Sequence, residues 1–225
     1  MGDDSLIIRT TDGGANWDVL GVKTDTTRPL YKVDAVDSQN VWVIGDENAG
    51  YATVLRSTNG GDSWDRLGSA EDFPTGLIDV SAIDADTAWI VGIDGQGHLT
   101  TDGGQNWKTM QIITSLYHVN AVCGLDAQNA WAATDQGGVY YTSNGGDDWN
   151  DVCPSVEDVP GIKGFELLGI TTADSQSVWV TGLEFGYPPE GIIANTINGG
   201  TDWAPQTSPV TGVNLSRVSF VGACK

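Results

Sequence analysis

The chain has 225 residues, with 30 Asp+Glu against 10 Lys+Arg and a formal charge of −20. Hydrophobic residues make up 40% of it, enough for a packed core and too many for wholesale disorder, and its 30 glycines show no three-residue period, which excludes collagen. A surface this acidic repels phosphate backbones, so nucleic-acid binding is not expected. Membrane insertion is not expected either, because no apolar run approaches the roughly 18–20 residues of a span.

The start, Met1-Gly2-Asp3-Asp4-Ser5, lacks the basic and apolar regions of a secretory signal. Either export does not use that route or the chain is a mature or trimmed form. The acidity suits a saline or extracellular setting or a cationic partner, so an extracellular, cell-surface or virion location is expected ahead of a cytoplasmic one.

In chain order, a strand over residues 6–11 ends in Thr10-Thr11-Asp12-Gly13-Gly14-Ala15-Asn16-Trp17. An alternating segment follows, Leu30-Tyr31-Lys32-Val33-Asp34-Ala35-Val36, and then Val41-Trp42-Val43-Ile44-Gly45. The next strand runs into Ser57-Thr58-Asn59-Gly60-Gly61-Asp62-Ser63-Trp64. The set then repeats with Leu77–Ile83, Ala88–Gly92 and the box Thr100–Trp107, and again with Leu116–Val122, Ala130–Thr134 and the box Thr142–Trp149. A fourth copy holds Leu168–Thr172, Val178–Gly182 and the box Thr196–Trp203, and a last alternating segment covers Leu215–Val221. The box tryptophans lie 47, 43, 42 and 54 residues apart. A period in the forties with alternation, β-branched residues and Gly/Asn/Asp punctuation predicts an all-β propeller of four-stranded blades.

Each unit reads as strand A, strand B with one Trp, strand C ending in the box, and strand D carrying the second Trp. Five blades with two Trp each predict ten, and the chain has nine, all at repeat positions. The missing one belongs to strand B of a closing blade shared between the two ends. The expected architecture is therefore a single domain over 1–225, five-bladed, with repeats near 1–20, 30–67, 77–110, 116–152 and 167–206 and a closing strand at 215–225. A closed ring with a thin seam is favoured over a piece of a larger propeller or an edge completed by another chain, although self-association at the seam fits an uncovered edge.

Inside each box the Asp or Asn oxygen can accept backbone N–H groups, the glycines supply positive φ, and the Trp returns a large apolar face to the blade. Asp12, Asn59, Asp102, Asn144 and Asn198, with Trp17, Trp64, Trp107, Trp149 and Trp203, are read as structural. Asn in place of Asp keeps the acceptor and loses the charge, which a catalytic or metal-binding carboxylate would tolerate badly.

These residues resemble the Asp-box (BNR) repeat, Ser/Thr-x-Asp-x-Gly-x-x-Trp, of sialidase-like propellers. The wider unit is most similar to the photosystem II assembly/stability factor type of propeller. The resemblance implies a non-enzymatic scaffold that docks other proteins, in a family whose members usually have more than five blades. Its assembly factors carry an arginine patch, whereas here only Arg9, Arg28, Arg56, Arg66 and Arg217 are present.

Enzymatic readings find little support. The sialidase resemblance lacks the family's Arg-Ile-Pro motif, since Arg28-Pro29 has no intervening Ile, and Arg9 and Arg56 fall in different blades. Xyloglucanase-like enzymes need far more chain. His98 falls on a strand C and His118 on a strand A, with no Gly-x-Ser-x-Gly elbow. The acidic clusters Asp46-Glu47-Asn48, Asp147-Asp148 with Asp151, and Glu157-Asp158 do not follow a calcium-loop pattern. No catalytic, metal or cofactor site is expected.

Strand A is innermost in a propeller, so Lys32, Asp79, His118, Gly169 and Arg217 are expected to ring the channel. Lys32, Asp79, His118 and Arg217 are the candidate ligand contacts there. Tyr31, Tyr117, Phe73, Phe185 and Tyr187 are candidate contacts on the loops entering strand A and on the 184–190 loop. Three cysteines leave the redox state open: one bridge with a thiol over, or three thiols. Cys123 and Cys153 lie at opposite edges of one blade, which disfavours a bridge unless the loop after Trp149 folds back, and Cys224 falls near the seam. The expected function is a rigid scaffold docking a protein partner through loops or channel mouth. The alternatives are a carbohydrate-binding propeller of a cell-surface or virion protein, taking a glycan, and a glycoside hydrolase-like enzyme.

Overall fold

The structure, a computed structural model, describes residues 6–21, 29–48, 51–153, 165–184, 191–206 and 215–219. Four of its sheets are four-stranded antiparallel meanders. The first comprises β3 (Leu30–Ala35), β4 (Val41–Asn48), β5 (Tyr51–Ser57) and β6 (Asp65–Leu67). The second comprises β7 (Leu77–Ala82), β8 (Ala88–Gly92), β9 (Gln96–Thr100) and β10 (Lys108–Gln111). The third holds β11 (Val119–Gly124), β12 (Ala130–Thr134), β13 (Val139–Thr142) and β14 (Asn150–Asp151), and the fourth β15 (Phe165–Thr172), β16 (Val178–Glu184), β17 (Gly191–Thr196) and β18 (Ala204–Gln206). A fifth, two-stranded sheet pairs β1 (Leu6–Arg9) with β2 (Asp18–Gly21).

From the other end of the chain, the segment 215–219 packs against Gly169 of β15. It lines one central cavity together with β3, β7, β11 and β15. The described residues of the expected closing blade are this segment and the strands β1 and β2. Each box Trp stands one residue ahead of its outer strand rather than on it, because the turn still holds the backbone there.

The hydrophobic core lies between blades. One cluster joins Trp42, Ile44 and Val54 of the first full blade to Leu77, Val80 and Ile90 of the second, and equivalent clusters join the second to the third and the third to the fourth. A smaller one seats Ile7 and Leu20 of the fifth sector against Leu30, Val43 and Leu55 of the first blade. Strand B's indole meets the next blade's box indole edge to face: Trp42 with Trp107 at 6.2 Å and 85°, Trp89 with Trp149 at 5.8 Å and 83°. Such pairs contribute about 0.5–1.5 kcal/mol beyond the area they bury.

The same bulge recurs in every inner strand. An extra residue (Tyr31, Ile78, Asn120 or Leu168) follows Leu30, Leu77, Val119 and Leu167. It aligns Lys32, Asp79, Ala121 and Gly169 as equivalent positions, each opposite the residue preceding the strand-B Gly or Thr.

Cys123 is disulfide-bonded and Cys153 is a free, buried thiol, so these two are not joined. Cys123 sits opposite Trp131 on the inner strand pair, whereas Cys153 follows the outermost strand of the same sheet. The partner of Cys123 lies outside the described residues, as does Cys224.

Candidate functional site

The box turns fix one end of every blade. Asp12 Oδ1 accepts the Asn16 backbone N–H at 2.9 Å, and Asn59, Asp102, Asn144 and Asn198 each accept the N–H four residues on at 2.9–3.0 Å. The side chains form a second bond whose direction follows composition. Asp12 and Asp102 accept from the amides of Asn16 and Asn106, whereas Asn144 and Asn198 donate to the carboxylates of Asp148 and Asp202, and Asn59 to the hydroxyl of Ser63. Donor and acceptor are swapped, and the bond survives. Those Asn16 donors, backbone and side chain, hold the Asp12 carboxyl down to about 2.

All ten box glycines have positive φ. In four of the five boxes the second glycine has a further reason to lack a side chain, since it packs on the outer strand of the preceding blade or on the residue just after it. A Cβ on Gly61 would meet Leu20 Cδ1 at 2.6 Å, and one on Gly200 would meet Val152 Cβ at 2.8 Å. On Gly104 and Gly146 it would run into Leu67 and Met110.

Cations tighten the same junctions. Arg9 Nη1 donates to the Gly60 carbonyl at 2.5 Å and pairs with Asp62 at 3.1 Å. Arg56 reaches the Gly103 carbonyl and Asp86, and Lys108 the Gly145 carbonyl and Asp147. Arg9, Arg56 and Asp147 are thereby accounted for as braces, and Asp148 by its bond to Asn144 within the box. A second turn, between strands A and B, was not anticipated: Asp37, Asp84, Asp126 and Asp174 each accept two successive backbone N–H groups at 2.6–2.8 Å. Its recurrence as Asp followed two positions later by Gln or Asp was visible in the sequence. This turn bonds to the box of its own blade through Gly60, Gly103, Gly145 and Gly199 N–H. Both therefore occupy the end of the blade away from the start of strand A.

The other candidate surface is the central cavity, about 440 Å³, lined by every inner segment. Lys32, Asp79, Gly169 and Arg217 all face it, and Asp34 and Asn120 join them. Lys32 Nζ pairs with Asp79 Oδ1 across the blade junction. Asp79 is 6% exposed, and its other oxygen accepts the Val122 N–H of the third blade at 3.0 Å. Asp34 does the same one blade earlier, accepting the Ala82 N–H at 2.7 Å. Burial pushes its carboxyl up, against the opposing pull of that N–H and of Lys32. Ser81 Oγ accepts the Gly124 N–H at 3.1 Å, and the Asn120 amide donates to Leu167 O at 2.9 Å. The inner wall is thus a chain of side-chain-to-backbone bonds from blade to blade. Arg217 lines the cavity, is exposed, and has no acidic partner among the described residues.

His118 is not part of this ring. It is exposed and precedes β11, its carbonyl accepting the Asp135 N–H. The match of Leu116-Tyr117-His118-Val119 to Leu30-Tyr31-Lys32-Val33 is three residues out of register, because 114–117 forms a turn closed by Tyr117 N–H to Thr114 O. Residue 121 takes the place expected for His118. The signal was a spacing: twelve residues separate Leu30 from Trp42, Leu77 from Trp89, Val119 from Trp131 and Leu167 from Trp179.

The loop candidates divide as well. Tyr31 and Tyr117 are exposed at 51% and 38%. Phe73 is fully buried, edge-on to Trp107 at 4.9 Å and to His98 at 5.0 Å, so it belongs to the core and offers no contact surface. Its ring fills the space beside Gly68, where a Cβ would collide with it. Phe185 and Tyr187 lie outside the described residues. His98 is buried on β9 with Nδ1 3.1 Å from Thr109 Oγ1, and burial lowers its pKa to about 4.

A family profile described as photosynthesis system II assembly factor YCF48 matches residues 22–162, more than half of the chain. Among solved structures, the chain is similar to YCF48 bound to a D1 peptide at 18% identity and a TM-score of 0.49, covering 80% of this chain and 83% of that one. It is similar to an ancestral GH74 enzyme at 17% identity and a TM-score of 0.68, covering 91% and 28%. With the GH74 enzyme of Niastella koreensis the values are 14% and 0.59, covering 78% and 30%. The chain spans less than a third of the length of those two enzymes, and the likeness to them is one of fold. No curated protein sequence matches it. The repeated boxes, the blade sheets around one channel and the profile match agree: the chain belongs to the photosynthesis system II assembly factor YCF48 family.

Proposed function

We propose that the chain is a non-enzymatic docking module, a rigid propeller that holds a protein partner through its channel mouth and the loops around it. The observation that carries this reading is the state of the two channel acids. Asp79 is tied to Lys32 and to the Val122 N–H, and Asp34 to the Ala82 N–H, so each joins one blade to the next. Glycoside hydrolysis needs one carboxyl free to give a proton and another free to attack or activate water. Acids that bridge blades are badly placed for either role. The family's description as an assembly factor points the same way. Tyr31 and Tyr117 add exposed aromatic surface near the starts of inner strands, the kind of side chain that anchors interfaces.

The same two tyrosines support a second reading, a glycan platform, since aromatic faces also receive sugar rings. One experiment separates them. A photo-crosslinking amino acid replaces Tyr31 or Tyr117 in the source cell, with Ile197, 74% exposed beside a box turn, as the reference position. Docking predicts a discrete protein adduct from positions 31 and 117, a much weaker one from 197, and a blank glycan array. Equal adducts from all three positions, or an array hit abolished by Tyr31→Ala, would overturn it.

A further inference from the structure

We infer that the central cavity is a carboxylate-binding site, with Arg217 as its anchoring cation. The inference deepens the docking reading and rests on it. Its basis is the charged group whose hydrogen-bonding capacity is left free once internal bonds are counted. Of the four charged groups lining the cavity, Lys32 and Asp79 neutralise one another. Asp34 gives one oxygen to the Ala82 N–H across the junction with the second blade. That leaves the Arg217 guanidinium, unpaired among the described residues and presented on a segment that packs against Gly169 of β15. A Cβ at Gly169 would stand 3.1 Å from Arg217 Cα, so the glycine admits this close approach of the Arg217 backbone.

Surroundings strengthen the case. In a chain of charge −20, a guanidinium with no acidic partner among the described residues, set at a cleft, attracts an incoming anion. A planar guanidinium offers two parallel N–H donors that match a carboxylate. Around it the wall supplies further polar groups at Ser216, Ser219 and Asn120, and apolar surface at Ile78 and Leu168 to hold an aliphatic or peptide body. A cavity of about 440 Å³ falls in the range of small-ligand sites. Two sources present this chemistry: the C-terminal carboxylate of a protein partner and a free small organic acid.

The test uses three probes against the whole chain: N-acetyl-Gly-Gly-Gly with a free carboxylate, the same peptide as its C-terminal amide, and sodium acetate. The readout is the Arg217 Nε–H resonance together with the backbone amides of Ala121 and Val122. The carboxylate peptide should shift these signals saturably and bind on the order of tenfold more tightly than the amide, the scale of one lost charge-assisted hydrogen bond. Arg217→Gln should remove that preference, Arg217→Lys should keep part of it, and raised salt should weaken it. Peptide binding tighter than acetate assigns the site to a chain terminus, and equal affinity assigns it to small acids. Equal binding of acid and amide, or unchanged preference in Arg217→Gln, overturns the inference. If positions 31 and 117 nevertheless crosslink a protein, docking stands and only the carboxylate site falls.

Discussion

At the scale of single residues, the box shows how composition drifts while a bond persists. Position three and position seven of each box form one donor–acceptor pair, Asp with Asn in two copies and Asn with Asp in two others. Asn144→Asp would face two carboxylates across 3.0 Å and should lower the melting midpoint by on the order of 3 °C at pH 7. Adding Asp148→Asn restores the order seen in the first and third boxes and should recover most of the loss. Thermal scans of the two single variants and the double variant measure that coupling. His98 carries a different expectation. Above pH 6.5 its ring is neutral in both folded and unfolded chains. Between 6.5 and about 4 the unfolded chain takes up a proton that the buried ring refuses, so stability falls as pH drops through that window and levels below it. The loss attributable to this group is about 3 kcal/mol. Urea titrations at pH 7, 5 and 4 should show a smaller decline in His98→Asn, which keeps a polar atom near Thr109 without titrating.

Elements meet through the second box glycine, and the five copies are not equivalent there. Gly146→Ala combines a φ of 79° with a collision against Met110 of the preceding blade, so it should destabilise by about 2–4 kcal/mol. Met110→Ala makes room and should shrink that increment. Gly14 has a φ of 93° but, among the described residues, no atom of another blade near its Cβ direction, so Gly14→Ala should cost only the backbone term, about 1–2 kcal/mol. Denaturant midpoints for the set decide whether contact or conformation dominates. The strand plan itself was readable from alternation and from the paired tryptophans, because both arise from local periodicity. What escaped was register. A bulge adds one residue without marking itself in composition, and a turn at 114–117 happened to imitate the start of a strand. Phe73 escaped for a related reason: its loop reads as surface, yet folds over Trp107, a contact between residues far apart in the chain.

For the whole molecule, the inner wall joins blades by polar bonds alongside the apolar layers. Asp79→Ala would leave Lys32 unpaired and the Val122 N–H without its acceptor, and should destabilise by about 3–5 kcal/mol. The channel charges at positions 32, 79 and 217 could be placed from the repeat alone, since a strand's order within a blade fixes its distance from the axis. Asp34 and Asn120 could not, because their roles depend on which neighbouring N–H or carbonyl the twist of the next blade brings within reach.

The central claim is that a partner enters from the channel end and leaves the box turns untouched. Hydrogen exchange on the complex with the crosslinked protein tests it most directly. The account predicts slowed exchange at 215–219 and at the first residues of β3, β7 and β11, with the turns at 57–64, 100–107 and 142–149 unchanged. Protection confined to those turns, with the channel segments exchanging as in the free protein, would contradict it.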